Sequence, residues 1–166
     1  MIFNSTNKKF FLNIIIVCII FILDRISKEY IINLSENSSG FELFSSSFLN
    51  ILLVWNEGIA FGLLSFGDEY IYNFITAIIA LVITIIFVMT LNSHGIKRFS
   101  FLLILGGALG NLYDRIYFQA VPDFIDFYIG ELHWFIFNVA DIFISGGVVI
   151  LILFEIFSKK QKYKND

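Results

Sequence analysis

The residues best suited to chemistry lie between Gly106 and Asp141. This stretch opens Gly106-Gly107-Ala108-Leu109-Gly110-Asn111-Leu112-Tyr113-Asp114-Arg115 and passes through Val121-Pro122-Asp123-Phe124-Ile125-Asp126. It closes on Phe137-Asn138-Val139-Ala140-Asp141. Four carboxylates, two amides and one guanidinium therefore sit in or beside long apolar runs. Ionisable groups at membrane depth are costly, so they usually face a bundle interior or an aqueous cavity and mark function. Two carboxylates held close in low dielectric can share one proton. One then acts as base toward water while the other donates a proton or hydrogen bond. That arrangement hydrolyses a peptide without a metal or a covalent intermediate. The same groups would also serve an ion-paired helix contact, or a proton relay in a small transporter or channel.

Competing chemistries lack their residues. There is no His-Glu-x-x-His zinc pattern, and no serine is coupled by spacing to a helix-borne lysine or histidine. His94 reads as a loop residue and His133 stands alone. The glycine run is not followed by the Gly-Lys-Ser or Gly-Lys-Thr of a phosphate loop. Cys18, the single cysteine, has no cysteine partner for a disulfide or metal and reads as a small buried hydrophobe. A glycosidase use of the acids is chemically open, but no groove for a soluble sugar polymer is evident. No metal and no cofactor are expected. The absence of a transporter-type internal repeat, and the clustering of the acids toward one side, favour the enzyme over the relay. Spacing alone does not pick the working pair from Asp24, Asp114, Asp123, Asp126 and Asp141.

The elements that must position these groups are membrane helices. Of 166 residues, 58% are apolar or aromatic and only 15% are charged. A soluble domain carries roughly 25% charged residues. Mean hydropathy is +0.83, and the 21 phenylalanines suit a lipid-facing surface. No basic domain with interleaved aromatics suggests nucleic acid. Four spans are expected, at about 10–30, 71–91, 99–117 and 134–157. The first begins with a basic end and a short apolar core, like a signal peptide, but Asp24-Arg25-Ile26-Ser27-Lys28 follows instead of a small-residue cleavage site. Extended through Tyr30, it reaches the roughly 20 residues a bilayer needs. Asp24 then lies about 21 Å along from Phe10, with Lys28 as its i+4 partner.

Asn33 to Gly40 reads as polar turn material. A small sheet or hairpin at the membrane interface is expected within 41–66, with Phe48, Trp55, Phe61 and Phe66 in the headgroup zone. Gly106 and Gly110 share a helix face and permit close approach. Asn111 and Asp114 are three apart, as are Asn138 and Asp141, so two amide–carboxylate faces could build one pocket. Asp141 is expected about 10 Å inside a helix that starts at Trp134. Pro122 would hold Asp123 at a helix exit. Arg115 should find its carboxylate partner on another helix, and Asp114 and Arg115 read as mainly structural. Lys8, Lys9, Lys97, Arg98 and the four lysines after Ser158 fall on one side of a four-span map, while the acids of 36–69 and 123–131 fall on the other. Both termini should therefore be cytoplasmic and the carboxylate site should face outward.

Five pieces of this sequence together resemble the lipoprotein signal peptidase family, also called signal peptidase II. They are Asp24-x-x-x-Lys28, Asn56-x-Gly58-x-Ala60-Phe61, Gly106-Gly107-x-x-Gly110-Asn111-x-x-Asp114-Arg115, Val121-x-Asp123-Phe124 and Phe137-Asn138-x-Ala140-Asp141, in the family order. The resemblance implies an all-α integral membrane protein of four transmembrane helices with a small extracytoplasmic β-cradle. It implies an aspartic endopeptidase of the bacterial inner membrane, with Asp123 and Asp141 as catalytic dyad. Asp24, Lys28, Asn56, Gly58, Asn111, Asp114, Arg115 and Asn138 would support it or touch substrate. The implied substrate is a prolipoprotein whose cysteine already bears diacylglycerol, cleaved just before that cysteine by a monomeric enzyme in contact with membrane lipid. Arg25 departs from the family's common glutamine and Ile59 from its common alanine. These departures bear on packing or substrate contacts and leave the dyad untouched.

Overall fold

A computed structural model describes residues 5–38, 42–58 and 69–162. In chain order the elements are α1 (Ser5–Glu36), β1 (Glu42–Ser45), β2 (Leu49–Asn56), α2 (Glu69–Asn92), α3 (Gly95–Tyr117), β3 (Val121–Ile129), β4 (Leu132–Phe137) and α4 (Val139–Lys162). Of the residues expected in the interfacial sheet, Phe61 and Phe66 lie outside the described residues, as do Ile59 and Ala60 of the second motif.

Among the described residues, α1, α2 and α4 each contain a segment long and apolar enough to cross a membrane, at Phe10–Glu36, Tyr70–Asn92 and Val139–Ser158. Their outer faces leave large side chains exposed, such as Phe10, Ile19, Phe74, Leu81, Val149 and Ile152. In water such surfaces would aggregate; they fit lipid. Helix α3 differs. It packs against all three other helices and buries Ser100, Phe101, Leu102, Ile104, Leu105, Gly106, Gly107 and Gly110. It is the central helix, less apolar because it meets protein rather than lipid on most sides. The close approach depends on glycine. A Cβ at Gly107 would come 2.5 Å from the Ala140 carbonyl oxygen of α4, and one at Gly110 would come 2.5 Å from Asp24 Oδ2 of α1.

Three boundaries differ from the sequence expectation. Helix α1 continues past Tyr30 to Glu36, because Ile31, Ile32 and Leu34 prolong its apolar run. Asn33 stays helical and donates to the Glu29 carbonyl at 2.8 Å. The sheet is larger than a hairpin within 41–66. It has four antiparallel strands in the order β1-β2-β3-β4, and the last two lie beyond that range, between α3 and α4. The third difference concerns Trp134, which lies in β4, so the last helix begins at Val139. The physical signal is the run of β-branched and aromatic residues on either side of Gly130. Gly130 takes φ 62° in the turn, and Ile129 pairs with Leu132 across it, a two-residue hairpin.

Candidate active site

The motif residues converge where the C-terminal halves of α1 and α3 meet the start of α4 and the sheet. Asn138 ends the β4 connection and opens α4. Its backbone N–H donates to Asp141 Oδ2 at 3.1 Å, and its Oδ1 accepts from the Asp141 N–H at 3.2 Å. This reciprocal pair is a capping box. The three-residue spacing of Asn138 and Asp141 is thus a helix start, and Asp141 sits in the first turn rather than about 10 Å inside the helix. The free amide of Asn138 turns the other way, and its Nδ2 donates to Asp123 Oδ1 at 2.6 Å. One residue therefore bridges two carboxylates that come from different elements.

Asp123 is 4% exposed and lies in β3 beside Val54 of β2. Its second oxygen accepts from Asn56 Nδ2 at 2.9 Å. Asn56 is held in turn by the Gly58 N–H, which donates to Asn56 Oδ1 at 3.0 Å. Asp141 Oδ1 accepts from Asn111 Nδ2 at 2.9 Å. Both carboxylates are thus cradled by neutral amides, and neither forms an ion pair among the described residues. Burial pushes the Asp123 carboxyl up to about 6 against the Asn56 donor; the neighbouring Asp141 pushes the same way, and Asn138 and Lys28 oppose.

A second pair of acids sits one layer deeper in α1 and α3. Asp24 and Asp114 are fully buried. Lys28 Nζ lies 2.9 Å from Asp24 Oδ1, 2.7 Å from Asp114 Oδ2 and 2.8 Å from Asn111 Oδ1. All three of its donors are used. Arg25 grips Asp114 with both terminal nitrogens, Nη1 to Oδ1 and Nη2 to Oδ2. Its Nη2 also reaches Asp24 Oδ2 at 2.8 Å. Two cations thus balance two carboxylates. Asp24 Oδ1 accepts the Ala140 N–H at 3.0 Å, so the cluster also holds the N-terminus of α4, where a carboxylate is favoured.

Arg115 does not pair with a carboxylate among the described residues. Asp114 and Arg115 are neighbours on a helix and point about 100° apart. Asp114 turns to α1, while Arg115 Nη2 donates to the Gly58 carbonyl at 2.6 Å and its guanidinium lies 5.9 Å from the Tyr72 ring of α2. It reaches Asp123 only through Gly58 and Asn56. Asp126 is buried but engages His133, whose Nδ1 lies 2.8 Å from Asp126 Oδ2. His133 is therefore not alone. Sequence reasoning missed that pair; it places Arg25 in an ion pair with the adjacent Asp24, which the structure shows, but not its reach to Asp114. The signals were present: two acids in the α1/α3 interface need two cations, and a two-residue turn at Gly130 brings residue 133 back to β3.

The chain as a whole is similar to known proteins. Residues 16–157 match the family model described as Signal peptidase (SPase) II. A lipoprotein signal peptidase of Pelagibacter ubique (strain HTCC1062) is 51% identical over 165 residues, covering 98% of this chain and 99% of that protein. One from Francisella tularensis subsp. novicida (strain U112) is 46% identical over 121 residues, covering 70% and 74%. A bacterial membrane enzyme solved by the in meso method at 2.3 Å resolution is similar with a TM-score of 0.72 and 32% identity, covering 91% of both chains. A second, solved at 1.9 Å, gives a TM-score of 0.63 and 33% identity over 86% of this chain and 90% of that one. With the family model matched over nearly the whole chain, and every motif aspartate and asparagine gathered at one end of the bundle, this chain belongs to the signal peptidase II family.

Proposed function

We propose that Asp123 and Asp141 are the catalytic dyad of a membrane aspartic endopeptidase that removes signal peptides from bacterial prolipoproteins. The chain is a multi-pass inner-membrane protein of the signal peptidase II family. Its substrate is a prolipoprotein whose cysteine already carries diacylglycerol, and the cut falls just before that cysteine. The observation that supports the dyad is Asn138, which binds both carboxylates, while neither forms an ion pair among the described residues. Two close uncompensated acids hold one proton between them. The ionised member takes a proton from water as its oxygen attacks the scissile carbonyl. The protonated member donates to the carbonyl oxygen. As the resulting diol collapses, the carboxyl that took the water proton passes it to the leaving nitrogen, and the other, now ionised, takes back a proton from a diol hydroxyl, which leaves a free acid and an amine and restores the pair. Asn56, Asn111 and Asn138 fix the carboxylates by their amides. Asp24, Lys28, Arg25 and Asp114 fix the helices that carry them.

The orientation follows from charge. Lys97 at the start of α3 pairs with Glu155 late in α4 at 2.6 Å, which marks the end of the bundle away from the sheet. That basic end is cytoplasmic, so the sheet and the dyad face outward and lipid tails stay in the bilayer during cleavage. Supplying purified enzyme with a prolipoprotein in two forms, with and without diacylglycerol on the cysteine, tests the substrate. Cleavage of the lipidated form alone, with the new N-terminus at that cysteine, is expected. Equal cleavage of both forms, or a cut elsewhere, would overturn the substrate reading. Reporter fusions after Leu91 and after Phe118 should read inside and outside, and the opposite readings would reverse the orientation.

A further inference from the structure

The sheet carries a polar side-chain chain that crosses all four strands. Ser45 Oγ of β1 donates to Asn50 Oδ1 of β2 at 2.8 Å. Asn50 Nδ2 lies 3.4 Å from Asp126 Oδ2 of β3, and the same oxygen meets His133 Nδ1 of β4 at 2.8 Å. Asp126 is 3% exposed, whereas the His133 side chain is half exposed and stacks on Tyr128 with ring centroids 4.9 Å apart. Burying a carboxylate is costly, so the site must be held for a reason.

The reason lies in the register. Asp126 pairs with Ile136, but Tyr128 pairs with His133. Two steps along β3 therefore match three along β4, so β4 carries an extra residue, a β-bulge. The His133–Asp126 contact reaches across that bulge. Immediately beyond it come Ile136, Phe137 and then Asn138, the residue that bridges Asp123 and Asp141. A slip of one residue in β4 would move Asn138 by about 3.3 Å and turn it to the other face.

We propose that His133 and Asp126 are a positioning pair for the reaction: they pin the bulged strand β4, so that Asn138 and the start of α4 meet Asp123 at the working separation. The proposal rests on the reading of Asp123 and Asp141 as the dyad. Neither His133 nor Asp126 exchanges a proton with substrate. The pair needs only an N–H donor at residue 133 and an oxygen acceptor at residue 126.

Steady-state cleavage of a diacylglyceryl-modified prolipoprotein by purified variants tests this, with Asp123→Asn prepared alongside. His133→Phe keeps a ring against Tyr128 and removes the donor. Its kcat should fall about tenfold, the loss of one hydrogen bond to a charged group, with KM within about twofold. His133→Asn, which places an amide N–H near the Nδ1 position, should recover to within about threefold. The partner side gives the second reading should His133→Phe fold poorly: Asp126→Ala should lose as much, and Asp126→Asn, which keeps an acceptor, should not. Wild-type kcat in both His133→Phe and Asp126→Ala, with Asp123→Asn inactive, would overturn the pin and leave the dyad standing. Equal loss in Asp126→Asn and Asp126→Ala would also overturn it, by showing that the carboxyl group itself is needed. Turnover by Asp123→Asn would overturn the dyad and with it the pair.

Discussion

Two pairs of aspartates share one end of this bundle and live under opposite rules. Asp24 and Asp114 face Arg25 and Lys28 at hydrogen-bond distance, two cations to two carboxylates. Asp123 and Asp141 face three asparagines and a backbone N–H. The first cluster is electrically closed. Its acids tie α1 to α3 and to the start of α4, so it serves as a fastener between them. The second has no ion pair among the described residues, and burial, with the neighbouring Asp141, pushes Asp123 up to about 6. On the proposed reading, the acids held by cations fasten the helices and the acids held by amides carry the chemistry. Asn111 separates the two, with its oxygen on Lys28 and its nitrogen on Asp141.

The largest test of this contrast exchanges acid for amide in each pair. Asp123→Asn and Asp141→Asn should each lose cleavage by at least about a thousandfold, with unfolding temperature near that of the parent. Asp114→Asn should show the reverse. It leaves one buried cation without a counter-ion and should cost roughly 3–5 kcal/mol of stability, read as a lower unfolding midpoint in detergent, while the remaining folded enzyme still cleaves. A stable but inactive Asp114→Asn protein would erase the distinction.

A smaller effect is expected from the contact that couples the pairs. Gly107→Ala would drive a Cβ against the Ala140 carbonyl and push the start of α4 away from α3. It should cost about 1–3 kcal/mol and slow turnover on the order of tenfold, because Asp141 moves with it. Gly146→Ala, where an added Cβ meets nothing within 4 Å, should leave both unchanged. Equal behaviour of the two variants would show that close α3–α4 packing does not set the position of Asp141.

The smallest effect is a shift along the pH axis. Asp123, held up to about 6 chiefly by burial, carries the shared proton below that pH and loses it above. The kcat/KM profile should therefore fall on its alkaline side with an apparent pKa near 6 that belongs to the pair. The Asn56 donor favours the ionised form, so Asn56→Ala should move that limb to higher pH. No movement, or movement to lower pH, would show that Asn56 does not act on this proton.

The helices and the motif aspartates were legible in the sequence because both rest on local signals. Apolar length gave α1, α2 and α4, and charges inside apolar runs flagged Asp24, Asp114 and Asp141. The sheet was only half legible. β2 was visible as an apolar β-prone run, but β3 contains Pro122, β4 runs up to an apolar helix, and Trp134 reads equally well as the first residue of a span. Side-chain pairing was the least legible part. Arg25 and His133 acquire their roles from residues 89 and 7 positions away, separations that only the packing of α1 on α3, or the hairpin at Gly130, makes short. The three-residue spacing of Asn138 and Asp141 encodes a helix cap as well as a candidate site.

The most direct test of the central contrast is a cycle of variants in one pair. Single-turnover cleavage of a diacylglyceryl-modified prolipoprotein would be measured for Asp123→Asn, Asp141→Asn and the double variant, at matched folded concentration, with Asp126→Asn as comparison. If the two carboxylates act as one proton-sharing unit, each single variant is inactive, the double is no worse than either, and Asp126→Asn stays close to the parent. Turnover near the parental rate by Asp141→Asn, or losses that multiply in the double variant, would contradict it.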